Sequence, residues 1–252
     1  MRYMGSKRRI AKELGAVIER YRKPRQVYVE PFVGGGNMLA QVKNPRIAAD
    51  INPYAVAVLA HISRPGWAPF PPVTREQYAR MKQDPLQYPE PFVGFAGFSL
   101  SFGGKFLDGI AVSEGRDIYR ESITELQKQG PLLDGTFFHA GSNPYHEIEY
   151  PADCLIYCDP PYQNTTGYKT GTFDHDAFFQ WAEQMADKGH TVLCSEYDIP
   201  RPRWSCVWVR EITTALHHTN GHSVRIERLY RAVSQREQNT KNTLLKTIYN
   251  SH

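Results

Sequence analysis

The first sixty residues alternate between helical and extended hydrophobic patterns. Apolar residues recur at helical spacing from Ser6 to about Tyr21, and Ser6 is expected to cap this helix. The patterns that follow predict strands at 27–30 and 46–50 and helices at 37–43 and after Asn52. Such a succession of strands, loops and helices predicts a parallel sheet covered by helices.

The pattern breaks between residues 63 and 130. This segment is rich in proline, glycine and aromatic side chains. Thr74 and Gln77 have the spacing of a capping box, and a polar helix is predicted over 114–129. We interpret the segment as an insertion, a mostly helical subdomain. Its aromatic residues between 92 and 106 are expected to form a small core, with stacking on bases as the alternative.

The α/β pattern resumes after residue 131. Asp174 is placed to cap a helix, and Gly189 is placed to end it. Two alternating stretches near the end of the chain predict an antiparallel pair of strands. The predicted strands of this part lie at 137–140, 154–158, 191–194, 206–212 and 224–233.

Composition narrows the class of protein. Of the 252 residues, 41% are hydrophobic and 22% are charged, which supplies enough apolar surface for a core and excludes a wholly disordered chain. No apolar run approaches the ~18 residues of a membrane span, and the basic N-terminus does not resemble a secretory signal. The four cysteines lack paired-motif spacing. We therefore expect a reduced, cytoplasmic protein with no membrane partner.

Positive charge is concentrated at the two ends of the chain. Residues 1–25 contain nine basic and two acidic side chains, and residues 199–232 contain six arginines and two acidic side chains. Clustered positive charge is typical of nucleic-acid partners, and a solvated basic surface is the alternative.

A glycine-rich turn follows the first predicted strand. Gly34, Gly35 and Gly36 allow a ligand to approach the backbone closely. Asp50 ends the next strand, where its carboxylate can accept hydrogen bonds from ribose hydroxyls. The glycines lack the G-x-G-x-x-G spacing, which favours an adenosine cofactor without a pyrophosphate over a dinucleotide. A tight turn without a ligand is the alternative.

The tetrapeptide Asp159-Pro160-Pro161-Tyr162 follows the predicted strand at 154–158. Consecutive prolines turn the chain out of the sheet and remove two N–H donors. The Asp159 carboxylate and the Pro160 carbonyl then remain as acceptors for an exocyclic amino group, and the Tyr162 ring can stack on a base. An ordinary strand terminator is the alternative.

Several motifs together resemble those of the Dam-type (D12 class) adenine-N6-specific DNA methyltransferases. Residues 3–7 resemble the N-terminal cofactor motif, residues 30–36 the main S-adenosylmethionine loop, and residues 50–52 the acidic ribose-binding motif. Residues 159–162 match the catalytic DPPY tetrapeptide, and residues 195–198 stand where members have Ser-Asn-x-Asp.

The resemblance implies an α/β fold, a class I Rossmann-like methyltransferase sheet of seven strands with a mostly helical target-recognition insertion. Residues 1–62 and 131–252 would form the S-adenosylmethionine-binding catalytic domain, and residues 63–130 would be the insertion. Catalysis would fall to Asp159, Pro160, Pro161 and Tyr162. The residues implied for the cofactor site are Tyr3, Gly5, Lys7, Glu30, Phe32, Gly34, Gly36, Asp50 and Asn52, and Ser142 and Asn143 occupy the place of a further adenine-contacting segment.

The implied reaction methylates N6 of an adenine that is flipped out of double-stranded DNA. Acceptors at Asp159 and Pro160 would localise the lone pair of N6, and the carboxylate would stabilise the positive charge that develops. The recognition stretch at 94–105 contains no Asn and no Arg. Lys105, Arg116 and Arg120 are therefore the candidate DNA contacts.

Three other functions stay open on the sequence: the same chemistry on RNA or another planar amine, a non-catalytic DNA-binding module, and a nucleotide-dependent oxidoreductase. No metal is expected. His217, His218 and His222 are interpreted as part of a loop that faces DNA rather than as a metal site. Cys154 and Cys158 have the same parity on one strand and are expected to pack in the core.

Overall fold

The computed structural model describes residues 1–162, 173–215 and 222–249. Within these ranges, seven strands form one mixed sheet, which confirms the predicted fold class. The strands are β1 (Tyr28–Glu30), β2 (Arg46–Ala48), β3 (Thr136–Phe138), β4 (Leu155–Cys158), β5 (Thr191–Glu196), β6 (Trp204–Ala215) and β7 (His222–Ala232). Their order across the sheet is β3-β2-β1-β4-β5-β7-β6.

Five of the α-helices described lie where the sequence patterns predict helices, and those at 90–94 and 235–249 were not predicted. The α-helices are α1 (Ala11–Tyr21), α2 (Pro53–Ile62), α3 (Arg75–Gln83), α4 (Glu90–Gly94), α5 (Ile118–Gln129), α6 (His175–Asp187) and α7 (Gln235–Tyr249). A π-helix, Phe95–Ser99, follows α4 directly. None of the helices described is long and apolar enough to span a membrane.

The first compact unit is Met1–Glu149. In it β1 pairs in parallel with β2, and β2 pairs in parallel with β3. All three residues of β1 are buried. A short strand that is buried along its whole length is typical of a parallel sheet.

The second compact unit is Tyr150–His252. In it β4 pairs in parallel with β5, and β7 runs antiparallel to both β5 and β6. The antiparallel pair predicted near the end of the chain is therefore confirmed. Cys154 and Cys158 are both buried, as expected from their shared parity on one strand.

Two local predictions are wrong. Ser6 does not cap α1, which begins at Ala11 without a side-chain cap. The Ser6 hydroxyl instead accepts hydrogen bonds from the Arg8 N–H at 3.3 Å and from the Asn37 side-chain amide at 2.9 Å. The second error concerns residues 37–43, which form only a short 3-10 helix, Leu39–Gln41.

Buried Arg46 explains why the helix at 37–43 does not continue. Its guanidinium donates to the carbonyls of Leu39 and Val42 at 2.8 and 3.1 Å. The Lys43 N–H donates to the Glu19 carboxylate at 2.9 Å. Because side chains occupy the groups that an α-helix would pair with each other, the chain leaves the helix there.

Several other predicted helix ends are confirmed, and one is shifted. Thr74 and Gln77 form the reciprocal capping box at the start of α3. The side chain of Asn52 caps α2, and that of Asp174 caps α6. Gly189 follows the end of α6 with φ +97°, a conformation that favours glycine. The polar helix predicted from residue 114 begins only at Ile118, because Asp117 caps it.

Aromatic side chains between residues 92 and 106 form a core, as predicted. Phe95 stacks on Phe70 with ring centroids 4.8 Å apart, and Phe98 packs against Phe106 at 4.9 Å. Phe102 is the exception, because 71% of it is exposed. The segment 63–130 lies within the first unit, and its role in target recognition stays a prediction. His217 and His218 lie outside the described residues. His222, which was predicted to lie in the same loop, is instead the first residue of β7.

Candidate functional site

Asp50 holds the glycine turn of the first unit through hydrogen bonds. One of its carboxylate oxygens accepts from the Gly34 N–H at 2.8 Å, and the other accepts from the Asn52 N–H at 2.9 Å. Burial raises the pKa of Asp50 to about 6, although the backbone N–H groups of Asn52, Gly34 and Ile51 favour the ionised form. The predicted ribose-binding carboxylate is thus mostly ionised at neutral pH.

The glycines of the turn are required by its backbone and by its neighbours. Gly34 has φ +45° and Gly36 has φ +66°. A Cβ on Gly34 would lie 2.8 Å from the Tyr3 ring, and a Cβ on Gly36 would lie 3.0 Å from Leu59. The backbone of the turn is therefore in van der Waals contact with the side chains around it.

The N-terminal motif at 3–7 lies between the glycine turn and the aromatic core. The Tyr3 ring contacts the Phe98 ring at a centroid distance of 5.1 Å, and the Met4 N–H donates to the Gly104 carbonyl at 3.2 Å. Gly5 has φ +77° in the bend that follows. The Lys7 side chain is buried. The structure thus brings this motif against the turn that the resemblance assigns to the cofactor.

Flat and apolar surfaces border the turn. Phe32 stacks on Tyr145 with ring centroids 5.4 Å apart, and both rings are partly exposed. Ile51, which follows Asp50, is 50% exposed. Glu30 is buried at the end of β1 and accepts from the Tyr28 hydroxyl at 2.9 Å. Sequence reasoning missed Tyr145, because nothing in its local pattern separates it from other loop aromatics.

The loop after β3 is joined to the Asp50 segment. The Asn143 N–H donates to the Asp50 carbonyl at 3.0 Å, and the Ser142 hydroxyl donates to the Ile51 carbonyl at 2.7 Å. The Asn143 side-chain amide donates to carbonyls within its own loop, at Ala140 and Gly141. These side chains support the loop, and a contact from them to adenine stays a prediction.

Gln129, at the end of α5, is a further support that the sequence did not indicate. Its side-chain amide donates to the Gly35 carbonyl at 2.8 Å, and its side-chain oxygen accepts from the Met1 ammonium. Burial lowers the pKa of that ammonium to about 5. The glycine turn is thus held by hydrogen bonds to Asp50 and to Gln129.

In the second unit, the tetrapeptide Asp159–Tyr162 follows β4 directly, as predicted. Pro160 is buried, and Asp159, Pro161 and Tyr162 are partly buried. The Tyr162 hydroxyl donates to the Glu227 carboxylate at 2.8 Å. Burial raises the pKa of Tyr162 well above its ordinary value, and the nearby carboxylates of Asp159 and Glu227 raise it further. Tyr162 therefore stays a neutral phenol that donates a hydrogen bond.

A second tyrosine lies against the tetrapeptide. The Tyr197 ring meets the Tyr162 ring edge to face, with centroids 4.6 Å apart and planes at 87°. Tyr197 follows β5, within the segment that stands where family members have Ser-Asn-x-Asp. Glu227, which accepts from the Tyr162 hydroxyl, lies on β7, and sequence reasoning assigned no role to Tyr197 or Glu227.

The side chains predicted to contact DNA differ in whether they already form an ion pair. Arg116 is paired with Glu121 through two hydrogen bonds, at 2.9 and 2.5 Å. Lys105 and Arg120 are exposed and form no ion pair with any of the described residues. Phe102, with 71% of its surface exposed, lies three residues before Lys105. Lys105 and Arg120 are thus better placed than Arg116 to meet a phosphate.

Among residues 1–162, 173–215 and 222–249, no three His, Cys, Asp or Glu side chains are grouped so that they could hold a metal ion. Buried Cys154 lies beside a histidine, with its Sγ 3.3 Å from His190 Nδ1. Burial raises the pKa of this thiol to about 12, so it is not a nucleophile at neutral pH.

Comparison with protein families gives a match over residues 3–95. The matching family is the D12 class N6 adenine-specific DNA methyltransferases. The resemblance is therefore confirmed for the segment that contains the N-terminal motif, the glycine turn and Asp50, and it supports a methyltransferase. No curated protein matches the chain.

Two solved methyltransferase structures are similar to the chain at low identity. One is the putative RNA methyltransferase PH1948 from Pyrococcus horikoshii, with 10% identity, a TM-score of 0.40, and coverage of 89% of this chain and 85% of that one. The other is SMU.472, a putative methyltransferase complexed with SAH, with 13% identity and a TM-score of 0.35; the match covers 91% of this chain and 54% of that one. Neither likeness is close enough to indicate a substrate.

Proposed function

We propose that this protein is a site-specific DNA adenine-N6 methyltransferase that uses S-adenosylmethionine. The observation that carries the proposal is the tetrapeptide Asp159–Tyr162, which leaves the sheet directly after β4 with a carboxylate and an aromatic ring in sequence. The family match over residues 3–95 supports the same activity.

The residues of the first unit suit the cofactor. The Asp50 carboxylate can accept from the two ribose hydroxyls, and a carboxylate retains acceptor capacity beyond the two backbone bonds it already makes. Ile51 and the stacked pair Phe32–Tyr145 offer apolar faces for a purine. S-adenosylmethionine, when bound, supplies a methyl group on a positively charged sulfur.

The residues of the second unit suit the amino group. The Asp159 carboxylate and the Pro160 carbonyl are acceptors for the two N–H bonds of N6. Hydrogen bonds to both would favour a pyramidal nitrogen whose lone pair is localised on N6. The carboxylate also stabilises the positive charge that develops on N6 and can take its proton. The Tyr162 ring would stack on the base, a contact worth ~1–3 kcal/mol that offsets part of the cost of flipping it out.

Double-stranded DNA is the proposed partner. Residues 1–25 carry seven more positive than negative side chains, and Lys105 and Arg120 are exposed and without an ion-pair partner in the described part of the chain. Such side chains bind phosphates, and an exposed ring such as Phe102 suits contact with bases. We further propose a cytoplasmic location, where DNA and S-adenosylmethionine meet, and a reaction that requires no metal.

The test is to incubate the protein with unmethylated DNA and methyl-labelled S-adenosylmethionine, and then to identify the labelled nucleoside. We expect the label in N6-methyladenine and a loss of about a thousandfold or more in Asp159→Ala, because that variant lacks the acceptor for N6. Glu211→Ala is the matched control, since Glu211 is an exposed carboxylate of the same unit.

Parallel reactions with RNA test the identity of the substrate independently of the methyl-transfer activity. Label in RNA alone would contradict DNA as the substrate but keep the methyltransferase. Failure to bind S-adenosylmethionine at all would contradict the proposal as a whole and leave a DNA-binding module.

A further inference from the structure

Three side chains of β7 bind the two segments that follow β4 and β5. Glu227 accepts from the Tyr162 hydroxyl at 2.8 Å, and Arg228 donates to the Tyr197 carbonyl. The Tyr230 hydroxyl donates to the Asp198 carboxylate at 2.9 Å. An antiparallel strand near the end of the chain thus fixes the tetrapeptide and its neighbour.

The Tyr162 ring is held at two points. Its hydroxyl is bonded to Glu227, and the ring meets Tyr197 edge to face at 87°. A tyrosine side chain has two rotatable bonds, so an anchor at the hydroxyl and a contact at the ring together define the plane of the ring. The plane of this ring decides where a stacked base can lie.

The hydrogen bond to Glu227 also affects the electron density of the Tyr162 ring. A hydrogen bond from a phenol to a carboxylate is charge-assisted, and it increases electron density on the phenol. The face of an electron-rich ring attracts positive charge more strongly. In the proposed reaction, positive charge develops on the amino group of the base that stacks on this ring.

We propose that Glu227 is a positioning residue for the Tyr162 ring: it fixes the plane of the ring and strengthens its interaction with the base in the transition state. This inference rests on the proposed function. Burial and neighbouring carboxylates raise the pKa of the Tyr162 phenol, so the hydroxyl keeps its proton and the anchor persists at neutral pH.

The first test is a double-mutant cycle on methyl transfer with Glu227→Ala, Tyr162→Phe and the double variant. We expect each single variant to lower kcat about tenfold, because each removes one hydrogen bond to a charged group. The KM for S-adenosylmethionine should be unchanged. The double variant should be no worse than either single variant. Glu227→Gln still accepts a hydrogen bond but carries no charge, so it should recover part of kcat, and Glu211→Ala should match the wild type.

The second test measures the hydrogen bond between Tyr162 and Glu227 in the absence of substrate. The ¹³C chemical shift of Tyr162 Cζ, assigned by its absence in Tyr162→Phe, should move in Glu227→Ala and not in Glu211→Ala. An unchanged shift would overturn the inference directly. Additive losses of kcat in an active enzyme would overturn it as well, whereas a wild type that methylates no nucleic acid would overturn the proposed function itself.

Discussion

The two compact units hold their candidate functional segments in different ways. In the first unit the glycine turn is fastened mainly through its backbone: the Gly34 N–H to Asp50 and the Gly35 carbonyl to Gln129. In the second unit the tetrapeptide and its neighbour are fastened mainly through side-chain groups, Tyr162 to Glu227 and Tyr230 to Asp198.

This difference shows which substitutions each segment is sensitive to. A turn held through its own amides depends on the space around its backbone, so bulk at a glycine is the most damaging change. A segment held by side chains depends on the identity of its partners, so a change of one functional group at a distant strand alters it. The following predictions test this contrast, from the largest expected effect to the smallest.

Gly34→Ala should have the largest effect. The φ of +45° already disfavours alanine by ~1–2 kcal/mol, and the new Cβ would lie 2.8 Å from the Tyr3 ring. Because the ring and the turn must move apart, we expect the affinity for S-adenosylmethionine to fall at least about tenfold, along with the melting temperature. Calorimetric titration and thermal unfolding measure the two effects.

Gly103→Ala is the matched control for Gly34→Ala. Gly103 has φ +61°, but a Cβ there would meet nothing within 4 Å. It carries the same kind of backbone strain without the contact, so it should lower stability and leave the cofactor affinity unchanged. Equal losses of cofactor affinity in both variants would show that the contact with Tyr3 is unimportant.

The pH dependence of Asp50 is the second prediction. Its pKa is about 6 in the folded protein, against an ordinary value of 3.8. The folded state therefore holds this proton more tightly than the unfolded state. Its contribution to the free energy of unfolding is greatest below pH ~4 and declines by ~3 kcal/mol as the pH rises through about 6.

Cofactor binding should show the opposite trend. The ionised carboxylate is the better acceptor for ribose hydroxyls, so affinity for S-adenosylmethionine should increase between pH 5 and pH 7 with a midpoint of about 6. Titration calorimetry across this range measures it. Asp50→Asn should bind weakly at every pH, and a persisting midpoint in this variant would assign the titration to another group.

A pair of Tyr→Phe variants should give the smallest effects and the sharpest contrast. Tyr230 donates to Asp198 at 2.9 Å in the second unit, and Tyr119 donates to the Phe70 carbonyl at 2.7 Å in the first. Each substitution should lower the free energy of unfolding by about 1 kcal/mol. Only Tyr230→Phe should also lower kcat, by a few-fold, and equal kcat values in both variants would contradict the contrast.

The same contrast explains what could be predicted from the sequence. Glycine at positive φ and proline after a strand are local requirements of the backbone, so the turn at 34–36 and the tetrapeptide were visible as sequence patterns. Glu227 and Tyr197 are ordinary residues of a strand and a loop, and only the pairing of β7 with β5 gives them their roles. Local periodicity carries no information about such partners.

The errors have the same origin. Residues 37–43 have the pattern of a helix, but the guanidinium of Arg46 takes two of their carbonyls. Ser6 has the chemistry of a helix cap, but its hydroxyl accepts from Asn37. In both places a side chain that lies outside the local pattern competes with the backbone.

The π-helix Phe95–Ser99 makes this part of the chain sensitive to its length. In an α-helix, residues three apart lie on one face. The wider turn of the π-helix separates Phe95, which stacks on Phe70, from Phe98, which contacts Tyr3. Removing one residue here would restore the tighter winding and turn Phe98 away from the N-terminal motif. Homologous chains could therefore exchange individual aromatics in this segment more readily than they could lose a position from it.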